Sequence, residues 1–245
     1  MHICFSLVES DGEKLYHTAY LVGPAGDILA KYRKTHLNNQ ELTWATAGDE
    51  LCKVHAIPAL GHVAMMIEDE VWSPEVSRCL ALEGVEVVLH PTDWDTKEAG
   101  ELAATERAGE NRFHLVSVTR LDSPGQLVSQ TTHAGEFLGG EPIPLMRYCQ
   151  GTWCRWGVEE QVIVDLQRRQ AHCKMMGDHL DVLEKRFPDL YNVCTVPRED
   201  LHTWRDVTTM RPGDFPDEYR YLRGSFGLKR AHECRGSEDF SSSNH

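Results

Sequence analysis

Two short stretches of this sequence hold the residue types that reaction chemistry uses. The first is Lys31-Tyr32-Arg33-Lys34-Thr35-His36-Leu37, with Glu41 shortly after it. The second runs from Gly61 to Glu75. There an apolar run, Val63-Ala64-Met65-Met66-Ile67, delivers Glu68-Asp69-Glu70 onto a turn ahead of Ser73-Pro74-Glu75. A buried strand that ends in a polar residue just before a helix is where α/β folds place their chemistry. A lysine at the end of an earlier strand can face the same crevice. The three consecutive carboxylates would also suit an exposed acidic turn, or one pair of ligands to calcium or magnesium.

The elements that must position these residues can be read from period and punctuation. Residues 1–9 alternate as a strand, with Ile3, Phe5 and Leu7 against Cys4, Ser6 and Val8, and Asp11-Gly12 follows as a turn. Tyr16 to Val22 reads as a second strand, Gly23-Pro24-Ala25-Gly26-Asp27 as a turn, and Ile28 to Tyr32 as the returning strand. The opening is therefore an antiparallel meander. Val63 to Ile67 is expected to be a strand buried on both faces. A helix should start with Ser73 as N-cap and Pro74 at its first position, carry Val76, Leu80 and Leu82 on an apolar face, and stop at Gly84. Val85 to Leu89 reads as a strand, Pro91 to Asp95 as a loop, Glu98 to Asn111 as a helix and Phe113 to Thr119 as a third strand, which together predict a layered α/β sheet. Beyond residue 121 we expect a strand at 161–165 and a long charged helix over 167–187, in which Leu180, Leu183 and Phe187 share a face. The domain is placed at 1–190, with a C-terminal extension over 191–245 whose last nine residues, 237–245, are a disordered tail.

Composition excludes several classes. The 245 residues carry 25 Lys and Arg against 38 Asp and Glu, a formal charge of −13, which repels phosphate backbones and anionic lipid. No nucleic-acid or membrane partner is expected, and no apolar run approaches the ~20 residues that cross a bilayer. The first residues lack the basic region of a signal peptide. Eight cysteines are scattered through the chain, which reads as reduced thiols in a cytoplasmic protein. Cys149, Cys154, His172 and Cys173 are the candidate metal cluster, but their spacing is not that of a zinc knuckle. Neither a metal nor a cofactor is expected.

The two motifs resemble those of the nitrilase, or carbon–nitrogen hydrolase, superfamily. Tyr32-Arg33-Lys34-Thr35-His36-Leu37 looks like its lysine motif, and Gly61 to Glu75 aligns without a gap to its nucleophile motif. Arg78, Gly84, Pro91 to Trp94 and Arg107-Ala108-Gly109-Glu110-Asn111 continue the likeness, which spans residues 3 to 170. The resemblance implies a four-layer αββα sandwich in which Glu acts as general base, Cys as nucleophile and Lys stabilises developing charge. It places Lys34 on the catalytic lysine, Glu41 on a second glutamate that orients substrate, and Trp94 in the pocket wall. Asp69 is assigned with Trp94 to substrate binding, and a homodimer is the default partner by fold analogy.

Two departures shape the functional expectation. Glu68 stands where the family has its nucleophilic Cys, and Cys79 lies eleven residues further on, inside the expected helix. The family's base glutamate would precede the strand at Ile3 to Val8, so the domain is expected to be N-terminally incomplete, as a fragment, a misassigned start or a truncation. Lys34 and Glu68 are expected to form an ion pair, within about 6 Å of each other, in the old catalytic pocket. The leading reading is a degenerate hydrolase, a pseudoenzyme that binds a small amide-like or nitrile ligand or serves as a partner subunit. The alternatives are an active hydrolase of linear amides, carbamoyl compounds or nitriles, and a purely structural module.

Overall fold

The computed structural model describes residues 1–93, 97–119, 129–134, 149–153, 163–176 and 180–196. They fall in two units, Met1–Arg186 and Phe187–His245. In the second, the described residues form two short 3-10 turns, Pro188–Leu190 and Asn192–Thr195. The expected tail at 237–245 lies outside the described residues.

The first unit opens with the expected meander, β1 (Ile3–Asp11), β2 (Lys14–Val22) and β3 (Ile28–Arg33), paired antiparallel in that order. Because side chains alternate along a strand, Ala19 and Leu21 of β2 and Ala30 and Tyr32 of β3 point inward and are buried. Ile3, Phe5 and Leu7 of β1 and Ile28 of β3 stay exposed.

A second sheet has the order β4-β5-β6-β7-β8-β9. Its strands are β4 (His55–Ile57), β5 (Gly61–Met65), β6 (Val87–Thr92), β7 (His114–Thr119), β8 (Ser129–Ala134) and β9 (Cys149–Trp153). β5, β6 and β7 are parallel, and the flanking pairs are antiparallel. Helices α1 (Pro74–Leu82) and α2 (Lys97–Asn111) fill the two parallel crossovers and touch each other. β1 touches β6, and one apolar cluster joins Leu21, Ala30 and Tyr32 to Val63, Met65, Val88 and Leu115. The continuous apolar run at 63–67 follows from this position, since all five residues are buried. The layer order is thus helix, sheet, sheet, as an α/β sandwich of the expected type requires. A fourth layer over the exposed face of the smaller sheet is not among the described residues.

Helix α1 begins at Pro74 as expected, although Ser73 caps it through extended backbone rather than through a side-chain bond. The chain leaves it at Gly84, whose amide donates to the Ala81 carbonyl at 3.1 Å with φ at +82°.

Two expectations beyond residue 121 fail. Residues 167–187 do not form a long helix but a 3-10 turn, Arg168–His172, followed by a bridge between Met175 and Asp181. Backbone carbonyls that a helix would use internally are taken by side chains at the start of β7 and just before it. His114 Nε2 donates to the Gln167 carbonyl at 3.1 Å, and Arg112 Nε donates to the Cys173 carbonyl at 3.1 Å. His172 Nε2 donates to Glu86 at 2.6 Å, and Asp181 Oδ1 accepts from the amides of Leu183 and Glu184, both at 2.8 Å. Tertiary bonds and a local turn therefore override the helical period. The strand expected at 161–165 also fails where it is described, since 163–165 are irregular.

A β-carbon added at Gly84 would meet nothing within 4 Å, so a substitution there carries only the backbone cost of a positive φ. Gly84→Ala should lower stability by about 1 kcal/mol, seen as a melting point lower by about 2–4 °C with an unchanged far-ultraviolet spectrum. An unchanged melting point would show that the turn after α1 relaxes freely.

Candidate functional site

Lys34 follows β3 directly and keeps its alternation, so it shares the inward face of Ala30 and Tyr32. Its amide donates to the His17 carbonyl at 2.8 Å, which ties it to β2. The side chain has no solvent exposure. Its Nζ donates to Glu41 Oε2 at 2.6 Å and to Glu68 Oε2 at 3.2 Å, and lies 4.0 Å from Asp69 Oδ2. The separation expected between Lys34 and Glu68 is met, but Glu41 is the nearer partner.

Glu41 is held by its own loop. Asn38 Oδ1 accepts from the amides of Gln40 and Glu41, both at 2.9 Å, and the Asn38 amide donates to Glu41 Oε2 at 2.9 Å. His17 Nδ1 donates to Glu41 Oε1 at 2.7 Å. Burial alone would raise the Glu41 pKa; the bonds from His17, Lys34 and Asn38 outweigh it and hold the group at about 2. His17 was missed in the sequence reading. Its signal was parity, since it lies two and four residues from the inward-facing Ala19 and Leu21 of β2.

Glu68 opens a 3-10 turn, Glu68–Trp72, at the end of the β5 run. Its φ of +47° is unusual for a residue with a side chain, and such strain persists only where neighbours over-determine it. Two neighbours do so. His90 Nε2 donates to the Glu68 carbonyl at 2.9 Å, while its Nδ1 accepts from the Ser117 hydroxyl at 2.9 Å. Burial pulls the His90 pKa down to about 4, so the ring is neutral and this tautomer is fixed. Glu70, fully buried, supplies the second brace. Its Oε2 accepts from the Ile67 amide at 3.0 Å, and its Oε1 accepts from the Tyr32 hydroxyl at 2.5 Å and the Thr35 amide at 3.1 Å. One carboxylate thus fastens the elbow to the strand end that carries Lys34. Arg107 adds a strut, donating through Nε to the Val71 carbonyl at 3.0 Å and pairing with Glu110.

The Glu68 carboxyl behaves differently from its neighbours. Burial, joined by the charge of Glu41, raises its pKa against the opposing pull of Lys34 and His17. Asp69 is partly exposed and accepts from Asn38 Nδ2 at 2.8 Å. Trp94, the other residue assigned to substrate, lies outside the described residues.

Among the described residues, no thiol bonds to Lys34, Glu41 or Glu68. Cys79 is exposed on α1. Cys52 accepts from the Met65 amide at 3.1 Å, and burial pushes its thiol up to about 12. Facing atoms of His17, Glu41 and Glu68 lie within 4.8 Å of one another, a spacing that suits a metal ion. The Lys34 ammonium, bonded to both glutamates, already fills the cation's role there. In the metal cluster considered from the sequence, His172 pairs with Glu86, and the side chains of Cys149 and Cys154 lie outside the described residues. A separate cavity of about 330 Å³ is lined by Lys31, Arg33, Asp49 and Lys53 among others, and by none of the Lys34 cluster.

The model of the carbon–nitrogen hydrolase family matches residues 1–139. A nitrilase of Pyrococcus abyssi is 35% identical over 121 residues, which is 49% of this chain and 45% of that protein. The N-carbamoylputrescine amidase of Solanum tuberosum is 24% identical over 209 residues, 77% of this chain and 66% of that protein. The chain spans about half the length of the first curated relatives it matches. The amidase of Nesterenkonia sp. AN1 superposes with a TM-score of 0.54 in a structure that holds butyramide, at 22% identity over 79% of this chain and 67% of that one. That likeness carries the fold.

The shifted groups divide the acid range. His90 and Glu41 both have depressed folded-state pKa values, from 6.5 to about 4 and from 4.5 to about 2. Each contributes stability that is full above the higher value and is lost as pH falls toward the lower one. Glu68 runs the other way, its contribution full at low pH and lost as pH rises. Denaturant midpoints should therefore fall in two stages below pH 6.5. His90→Gln should flatten the upper stage, and Glu41→Gln should reduce the lower one, in which Glu9, also held at about 2, remains. Unchanged profiles in both variants would disprove the assignment.

Proposed function

Because this chain belongs to the carbon–nitrogen hydrolase family, we propose that it is a member whose site no longer hydrolyses and instead holds a small amide-like or nitrile ligand. The observation that carries this reading is Glu68 itself. A carboxylate stands at the elbow, bonded to Lys34, where the family motif has its thiol. A carboxylate is a far weaker nucleophile than a thiolate toward an amide, and attack would have to pass through an anhydride. The Lys34 ammonium is also committed to two carboxylates rather than poised for developing charge.

The same groups suit binding. The NH₂ of an amide can donate to Glu68 or Asp69, the partly exposed members of the cluster, while Lys34, buried beneath them, holds Glu68 in place. Lys34, Glu41 and Glu68 would form the floor of the site, with Asp69 and Trp94 at its wall. One observation favours the active alternative: the raised pKa of Glu68 is what a carboxyl needs to act as a general base on water.

We further place the protein in the cytoplasm as a homodimer. The described cysteines are free, and no described helix is long and apolar enough to cross a membrane. Superfamily members pair through the helices flanking the nucleophile strand, and here Leu82 of α1 and Leu102 of α2 are exposed.

Ammonia release from butyramide, other linear amides, carbamoyl compounds and nitriles should not exceed that of the Lys34→Ala variant. Butyramide should bind the parent chain and bind Lys34→Ala about 10–100-fold more weakly, because Glu68 loses the charged hydrogen bond that positions it. Turnover that disappears in Lys34→Ala would overturn the proposal and make Glu68 catalytic. Equal butyramide binding by both chains would favour the purely structural role.

A further inference from the structure

The charge of the Lys34 cluster carries an inference about what enters it, one that rests on the ligand-binding reading above. The elbow, Lys34 and the family match make this place a site, and its electrostatics then select the occupant. Three carboxylates, Glu41, Glu68 and Asp69, converge on Lys34, with Nζ–oxygen distances of 2.6, 3.2 and 4.0 Å. Among the described residues, the other basic group within ion-pair distance of any of them is His17, at 2.7 Å from Glu41 and 3.9 Å from Glu68. Even with a proton counted on His17, three carboxylates face two basic groups among the described residues.

The imbalance is not shared evenly. Glu41 takes the shorter bond from Lys34, the bond from His17 and the amide of Asn38. Glu68 keeps the longer bond from Lys34, and Asp69 has Asn38 Nδ2 beside it and only a distant ammonium. These two under-compensated carboxylates are also the more exposed members, at 24% and 45% of their side-chain surface, against 5% for Glu41 and none for Lys34. The missing positive charge is therefore wanted at the open side of the cluster, where a ligand would arrive.

We infer that the ligand of this site is a small amide bearing an ammonium or guanidinium group, which lies against Glu68 and Asp69. An incoming cation at this point replaces water around two partly buried carboxylates with a charge-assisted hydrogen bond, which is stronger than a neutral one. It also supplies what Lys34 cannot, because that ammonium is held deeper by Glu41. A neutral amide reaches the same carboxylates only through its NH₂ and brings no positive charge to them, and an anionic one meets net repulsion. Burial raises the Glu68 pKa despite Lys34, in keeping with a carboxylate short of positive partners.

The test uses three amides of matched length: 4-aminobutanamide, pentanamide and glutaramate. Their binding to the full chain is compared by calorimetry at low salt and at about 0.5 M salt, where screening is strong. The cationic amide should bind at least about tenfold tighter than pentanamide, and glutaramate more weakly than either. Glu68→Gln and Asp69→Asn should each shrink the gap, as should high salt. Asp69 is exposed enough that its variant folds even if Glu68→Gln disturbs the elbow, and thermal melting checks both. Equal affinities, or glutaramate binding tightest, would overturn the inference while leaving the ligand-binding reading in place. Binding of none of the three would remove that reading and the inference with it. Zn²⁺ that binds alone and excludes 4-aminobutanamide in the parent chain, but not in a His17→Ala variant, would also overturn it, in favour of a metal site at His17, Glu41 and Glu68.

Discussion

A lysine ammonium with no access to water is the constraint around which this site is built. Such a charge is tolerated only when paired and hydrogen-bonded, and losing one partner of a buried pair costs about 3–5 kcal/mol. Strand alternation sends Lys34 inward whatever stands at the elbow, so the elbow must offer an acceptor or leave the charge short of partners. Glu68 offers one. The position that aligns with the family's nucleophile motif thus supplies part of the charge compensation of its neighbour.

The second requirement is that the compensating groups arrive together from separate parts of the chain. Glu41 comes from the loop after β3, Glu68 from the end of the β5 run, and His17 from β2. Glu70 couples two of these pieces by accepting from Ile67 on one side and from Tyr32 and Thr35 on the other. His90 holds the Glu68 carbonyl from β6 and is steadied in turn by Ser117 of β7. The positive φ at Glu68 is maintained by bonds to both neighbours, so the strain of the elbow is supported by the sheet and not by the turn itself.

Much of this was legible in the sequence because it rests on local periods. The meander, the run at 63–67, Pro74 at the head of α1 and Gly84 at its foot are all statements about alternation, helix entry and positive φ. Lys34 and Glu68 were readable from motif spacing. What was not legible depends on partners distant in the chain. His17 looks like an ordinary strand residue until parity is combined with the pairing of β2 and β3. The stretch over 167–187 has a helical period, yet its carbonyls are claimed by Arg112 and His114, more than fifty residues away. β4 has only three residues, β8 (SQTTHA) and β9 (CQGTW) are mostly polar, and their places at the flanks of the larger sheet come from pairing rather than from a strong pattern of their own.

The exposed face of the smaller sheet has a consequence for how these molecules behave in company. Ile3, Phe5, Leu7 and Ile28 form an apolar surface of the kind that drives self-association, on a sheet whose β1 edge pairs with no further strand among the described residues. The chain also carries a formal charge of −13, and like-charged molecules keep their distance while that field reaches beyond their surfaces. At physiological ionic strength the field decays over about 8 Å, and over about 3 Å in molar salt. The same acidity therefore acts as colloidal protection, and salting strips that protection before it disturbs the buried pairs around Lys34.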